Sequence, residues 1–344
     1  MPLLHHKDRG QFVKKLRILM LHEDRRRPGE GGGAESLLRD QTQALQKLGH
    51  SVKWWQGDVP LQDCVTEYMP DVCHIMTIHN FIGLRPALWL QQNKIPHVWS
   101  LMDYWPFCGG RMLLTDGDRS CAAVEGVCDG NCDGHPAPAR FREIVNGSPV
   151  LALNRHSAAI YERHGIPVYA VTPLGVDTER FQPDYARRNG ARVMTTTAWP
   201  GWPTKGMHIL REALRKVGVG AKLVTGVSRE RVRDELQTAS IFVFPSTYQE
   251  TWGLCLTEAM ACGCACIASA VAGPKQQIED GIDGLLVPPR DADALADALQ
   301  RLLDDDERRE RLGKAARAKA EREFTLERMG RTLVETYRSV INGS

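Results

Sequence analysis

Strand-length apolar runs alternate with helical patterns along the whole chain, and that alternation confines it to parallel sheets wrapped by crossover helices. The runs fall at 16–21, 52–55, 72–78, 97–101, 150–153 and 168–171, and then at 193–197, 222–225, 241–245, 265–269 and 284–287. Leu37, Leu38, Gln41, Leu45 and Leu48 share one face of a helix over 34–48, and helices over 207–217, 229–237 and 253–262 separate the later runs. Pro173, Gly175 and Pro183 are turn formers that mark a linker between two halves. Beyond it, Leu295, Leu299, Leu302 and Leu303, and later Leu326, Met329, Leu333, Tyr337 and Val340, repeat at helical spacings. The charged stretch 304–323 reads as a solvated helix face. The expected class is α/β, with two facing doubly wound domains at 1–170 and 171–325 and a final helix over 326–344 packing back across them. In such domains ligands sit outside the carboxyl ends of the strands, where the winding reverses, so two of them make a cleft.

Composition removes several function classes. Lys and Arg total 44 against 42 for Asp and Glu, so no net field draws the chain to nucleic acid or to an anionic membrane. No apolar run approaches the roughly 20 residues of a spanning helix. The start of the chain has no small-residue cleavage site after its short apolar run. A cytoplasmic protein is expected, touching a membrane only peripherally if at all.

The most informative segment is Phe244-Pro-Ser-Thr-Tyr-Gln-Glu250-Thr-Trp-Gly253-Leu-Cys-Leu-Thr-Glu258-Ala-Met-Ala-Cys-Gly263. A buried strand ends, a polar loop follows, and a helix opens near Gly253. The first amides of a helix lack partners and its dipole favours negative charge, so Gly253 and Leu254 outline an anion site. A carboxylate accepts two hydrogen bonds and suits vicinal diols, which makes Glu250 and Glu258 candidates for binding sugars. Lys205-Gly206 opens another helix after the loop Trp199-Pro-Gly-Trp-Pro-Thr, and Gly31-Gly32-Gly33 lies between the first strand and the first helix. Glycines there let backbone approach a ligand closely. Asp103, between apolar residues just after a strand, needs a partner or a task.

Two glutamates with seven residues between them, the intervening Trp-Gly-Leu and the Glu-Ala-Met-Ala-x-Gly ending resemble the donor-site motif of retaining glycosyltransferases of family 4, which have the GT-B fold. Gly273-Pro274, Asp280-Gly281-Ile-Asp-Gly284-Leu-Leu-Val-Pro288 and Gly175-Val-Asp177…Phe181-x-Pro183 are similar to the family in place as well. The resemblance covers most of 150–325. It implies that Glu250 holds the donor sugar, Glu258 the nucleotide ribose and Lys205 the donor diphosphate, with the loop at Gly32 and Gly33 facing them. It also implies two departures: Pro200 stands where the family has arginine, and Met102 where many relatives have the histidine of a His-Asp pair, leaving Asp103 or His79 for that position.

Cys108, Cys121, Cys128 and Cys132 fall in a glycine-rich loop with few apolar residues. In a reducing compartment four thiolates suggest a structural zinc site, with disulfides or free thiols as the alternatives. The function expected is transfer of a glycosyl group, with retention, from a nucleotide-diphosphate sugar to a sugar, lipid-linked or other hydroxyl acceptor, without a catalytic metal ion. A surface polysaccharide or glycoconjugate is the first acceptor class, and a nucleic-acid acceptor stays open. The alternatives are a nucleotide-sugar epimerase on the same fold and a catalytically silent nucleotide-sugar-binding protein.

Overall fold

The computed structural model describes residues 14–22, 33–76, 83–108, 139–197 and 201–343, and the backbone of two short strands between 114 and 120. The first domain has strands β1 (Arg17–Leu21), β2 (Ser51–Trp55), β3 (Val72–Ile75) and β4 (His97–Leu101), an antiparallel ribbon of β5 (Leu114–Thr115) and β6 (Arg119–Ser120), then β7 (Val150–Ala152) and β8 (Val168–Val171). Its helices are α1 (Gly33–Lys47), α2 (Leu61–Tyr68), α3 (Arg85–Gln92), α4 (Ala139–Asn146) and α5 (Arg155–Arg163). Six of the strands form a parallel sheet in the order β2-β1-β3-β4-β7-β8. Strands β1, β3, β4 and β7 are almost entirely buried, because helices cover both faces.

The second domain repeats the plan with β9 (Val193–Thr196), β10 (Lys222–Val224), β11 (Ile241–Phe244), β12 (Ala265–Ser269) and β13 (Leu285–Val287). The helices are α6 (Met207–Val217), α7 (Arg229–Thr238), α8 (Leu254–Ala261), α9 (Ala272–Gln277), α10 (Ala292–Asp304), α11 (Asp306–Glu323) and α12 (Leu326–Gly343). The sheet order is β10-β9-β11-β12-β13, all parallel. The chain leaves β9 for β10 on one side and returns to β11 on the other. The winding therefore reverses between β9 and β11, and their loops open a crevice there.

Two expectations need correction. In the run at 72–78 the strand ends at Ile75, before Met76, and 77 and 78 lie outside the described residues. The charged stretch is not simply solvated, since α11 lays Leu312, Gly313, Ala316 and Ala320 against α8 and β12. Arg317 of α11 turns inward and donates to the carbonyls of Thr178, Phe181 and Ala261 at 3.0, 2.6 and 2.6 Å. Together with Arg188, whose Nη1 donates to Gly263 O at 2.8 Å, it serves carbonyls at the end of α8, where cations are favoured. The stem of a long basic side chain covers apolar surface while its head bonds, so a charge-dense sequence can still pack.

The linker and the return crossing lie side by side. Val176 N donates to Phe324 O at 2.8 Å, and a Cβ on Gly175 would stand 2.4 Å from Thr325 O, so glycine is required at this close approach. Helix α12 then packs on α1 and β4 of the first domain. Beneath it, His74 of β3 bonds Tyr337 OH through Nδ1 and Ser100 Oγ through Nε2, both at 2.7 Å. Burial lowers the pKa of His74 from 6.5 to about 3, so the ring is neutral in the folded protein. Below pH 6.5 the unfolded chain takes up a proton that the native ring refuses. Stability present above pH 6.5 is therefore lost as pH falls toward 3, by about 2 kcal/mol between pH 6.5 and 5. His50, His97 and His164 are lowered by burial as well and add to the slope. Urea unfolding of His74→Gln should show a shallower fall over that range than the parent; parallel curves would assign the pH dependence to the other histidines.

Candidate active site

Lys205 and Glu250 sit on the two loops that flank the reversal. The lysine loop ends in a single 3-10 turn, Pro203–Lys205, followed by Gly206 at φ 66°. It is stitched to the glutamate loop by Thr247 N donating to Thr204 O at 2.9 Å and Ser246 Oγ to the same oxygen at 3.2 Å. Lys205 Nζ thereby lies 2.9 Å from Glu250 Oε2 and 3.3 Å from Tyr248 OH, and 4.8 Å from the centre of the Tyr248 ring. Tyr248 OH donates to the other carboxylate oxygen, Glu250 Oε1, at 2.5 Å. Burial, reinforced by the neighbouring Glu250 charge, holds the Tyr248 phenol well above its ordinary pKa, so it stays protonated and can donate. Tyr248 was not singled out from the sequence, where a tyrosine in a polar loop carries no signal.

The loop is fixed from behind by the start of α9. Gly273 N donates to Glu250 O at 2.7 Å, and Ala272 N to Gln249 Oε1 at 3.1 Å. A Cβ on Gly273 would come 2.2 Å from Trp252 O, which explains the glycine of the Gly273-Pro274 pair. The first domain holds the loop from the front: Thr251 Oγ1 donates to Met102 O at 2.6 Å, and Asn154 Nδ2 to Thr251 O. Met102 thus meets the second domain through its backbone. Asp103 follows, accepting from Trp105 N at 3.0 Å while its carbonyl accepts from Tyr161 OH at 3.0 Å. Burial holds the Tyr104 phenol well above its ordinary pKa, with the charges of Glu250 and Asp103 adding to the rise.

Helix α8 starts at Leu254 with Gly253 as its N-cap, at φ 104°. A Cβ there would lie 3.0 Å from Phe244 Cζ, so backbone conformation and packing both call for glycine. Gly253 O accepts from Leu256 N at 3.0 Å and from Thr257 N at 3.4 Å, and with no side chain on the cap the amides before these have no capping group to donate to. Across the cleft, Gly33 opens α1, and a Cβ on it would lie 4.0 Å from Leu254 Cδ1. Glu258, one turn into α8, is 5% exposed and bonds Arg229 Nε through Oε1 at 2.6 Å. Burial drives its carboxyl above the ordinary range, with Arg229 opposing. Neither Arg229 nor its second partner Asp40 was foreseen, because their meeting joins residues 189 apart in sequence.

Gly32, His79, Pro200, Cys121, Cys128 and Cys132 lie outside the described residues. Cys108 is buried with Tyr104, Trp105 and Phe107 in the core of the first domain. Among the described residues no group of three or more His, Cys, Asp or Glu is placed to hold a metal ion. In the triplet Asp291-Ala-Asp293, Asp291 caps α10 through Ala294 N at 2.8 Å, and Asp293 pairs with Lys216. No helix among the described residues is long and apolar enough to cross a membrane.

Residues 207–319, which contain both glutamates, match the family model of Glycosyl transferases group 1. The fold agrees with solved structures over nearly the whole chain. Sucrose-phosphate synthase from Thermosynechococcus elongatus superposes with a TM-score of 0.75 at 18% identity, covering 96% of this chain and 100% of that one. Anabaena HepE in complex with UDP and glucose gives 0.70 at 17%, covering 94% and 100%. Residues 207–319 are thus similar to a glycosyl transferases group 1 domain, and the chain as a whole has a GT-B fold. The D-inositol 3-phosphate glycosyltransferase of Corynebacterium urealyticum is 28% identical over 91% of this chain and 92% of its own length. The enzyme of that name from Kribbella flavida is 38% identical, over 37% of this chain and only 30% of its own length. The alpha-maltose-1-phosphate synthase of Mycolicibacterium smegmatis is 28% identical over 85% of this chain and 78% of its own length.

Proposed function

We propose that this GT-B chain transfers a glycosyl group, with retention, from a nucleotide-diphosphate sugar to a hydroxyl acceptor. The observation that carries the reading is the convergence of Lys205, Tyr248 and Glu250 beside the open start of α8, with Glu258 one turn further in. As the bond from the anomeric carbon to the diphosphate oxygen breaks, negative charge grows on the departing diphosphate, while the acceptor oxygen bonds that carbon and gives up its proton to the leaving phosphate oxygen or to solvent. A cation and preorganised amides directed at that oxygen stabilise the transition state more than the ground state. Lys205 and the amides at Gly253 and Leu254 take this role, the backbone at Gly33 faces them, Glu250 accepts from sugar hydroxyls, and Glu258 accepts from the ribose. Asp103 borders the acceptor side. In the unliganded protein Lys205 and Glu250 neutralise one another, a pairing the donor exchanges for its own phosphate and hydroxyl groups.

Retention rests on the resemblance of the Glu250–Glu258 segment to retaining enzymes. The names of the relatives make D-inositol 3-phosphate the first acceptor to assay, beside polysaccharide and lipid-linked precursors. Thermal shift against a panel of nucleotide sugars tests the donor reading: one nucleotide class should raise the melting temperature, and no shift with any would favour a chain without donor binding. Loss of a hydrogen bond to a charged group costs about 1.5–3 kcal/mol, so Glu258→Ala should weaken nucleotide binding by that amount. Glu250→Ala should slow transfer with nucleotide affinity nearly intact. Calorimetry showing parent-like nucleotide binding by Glu258→Ala would remove that residue from the ribose site.

A further inference from the structure

Arg229 is a partly buried cation on α7 that the reaction as described does not use. Its Nε donates to Glu258 Oε1 at 2.6 Å in the second domain. Its two terminal nitrogens grip Asp40 of α1, in the first domain, at 2.7 and 2.8 Å to Oδ1 and Oδ2. The guanidinium also lies 5.1 Å from the centre of the Phe181 ring, on the linker. All three charged side chains are withdrawn from water, Asp40 to 5%, Glu258 to 7% and Arg229 to 17% side-chain exposure. A buried charge is retained only where it is paired and hydrogen-bonded, and a bidentate guanidinium–carboxylate pair fixes direction as well as charge.

We propose that Arg229 is a positioning residue of the nucleotide subsite, holding Glu258 by one oxygen so that the other is presented to the ribose, and that Asp40 of the opposite domain holds Arg229 in that pose. The inference rests on Glu258 being the ribose carboxylate. It adds that the nucleotide subsite is completed by a residue of the first domain, so donor affinity reports how the two domains are set against each other. If the domains part at the linker, Arg229 loses its bidentate partner and Glu258 loses its fixed cation together.

Protonation provides a readout that a merely structural role would not move. Glu258 is driven upward by burial, and Arg229 is the main group opposing this. Asp40 faces it as a further negative charge and Arg180 as a second, weaker positive one, while Cys255 lies on its helix and Cys262 caps that helix. Without Arg229, Glu258 binds a proton more readily and ionises only at higher pH.

The experiment is calorimetric titration of the full chain and its variants with UDP, GDP, ADP and TDP, continued from pH 6 to 9 with whichever binds the parent most tightly. Affinities are expressed as the ratio of variant to parent, which cancels the protonation of the ligand itself. Arg229→Gln should bind at least tenfold more weakly at pH 7, with the ratio recovering toward pH 9, and Arg229→Lys should restore part of the loss at pH 7. Asp40→Asn, which leaves the contact between Arg229 and Glu258 in place, should lose severalfold. Parent-like affinity in Arg229→Gln and Asp40→Asn, or a loss of the same size at every pH, overturns the proposal. Should Arg229→Gln not fold, Asp40→Asn decides by itself: severalfold weaker binding supports the proposal and parent-like binding overturns it. A parent that binds none of the four nucleotides would instead defeat the donor-site reading on which the inference rests.

Discussion

Replacing Lys205 by alanine is expected to lower turnover with the sugar donor by about a hundredfold or more, the loss typical of removing one preorganised charge-stabilising group. The ammonium stands 2.9 Å from Glu250 Oε2 and 3.3 Å from Tyr248 OH, so its position is set by two partners before any ligand arrives. Because leaving-group charge is greatest in the transition state, kcat should fall further than donor affinity. Steady-state rates with the nucleotide sugar identified by thermal shift, together with calorimetry of the nucleoside diphosphate, separate the two. A loss confined to affinity would make Lys205 a binding group only, and an unchanged rate would remove it from the reaction.

The second large effect is on stability. Gly206→Ala should destabilise the second domain by about 3 kcal/mol or more, at the upper end of what overpacking costs. The residue has φ 66°, and a Cβ would lie 1.7 Å from Pro245 O and 2.7 Å from Pro245 C, backbone atoms that cannot rotate away. The lysine and glutamate loops would be pushed apart, so activity should fall with stability. Gly218→Ala is the control, since Gly218 has φ 75° but a Cβ there would meet nothing within 4 Å. Its cost should be the backbone term alone, about 1–2 kcal/mol. Equal urea midpoints for the two variants would show that the approach of Gly206 to Pro245 carries no cost.

Much of the fold was open to reading because parallel strands buried on both faces are continuous apolar runs, as at Ile241–Phe244 and Ala265–Ser269. Helix α1 was legible through its repeating leucines, whereas α2 and α3 were not. Each has eight residues and buries only two or three side chains, too few for a periodic pattern. In the charged stretch, the covered stripe of α11 consists of Gly313, Ala316 and Ala320 with Arg309, Lys319 and a single leucine, Leu312, which carries almost no hydropathy signal.

The candidate site divides along the same line. Glu250, Gly253, Glu258 and Lys205 stood out in the sequence because loop-and-helix chemistry is local: an anion site needs a strand end, a glycine and a helix start within a few residues. Tyr248 joins Lys205 and Glu250 only when two loops from either side of the β9–β11 reversal are stitched together. Asp40, Arg229 and Glu258 meet only when two domains close on each other, and Asn154, Met102 and Thr251 likewise. The sequence by itself determined that there are two α/β domains and where the second one offers its carboxylates. The tertiary structure alone decided which cation each carboxylate faces, because a buried charge takes the partner that packing brings within hydrogen-bond reach, and that choice is not written in spacing.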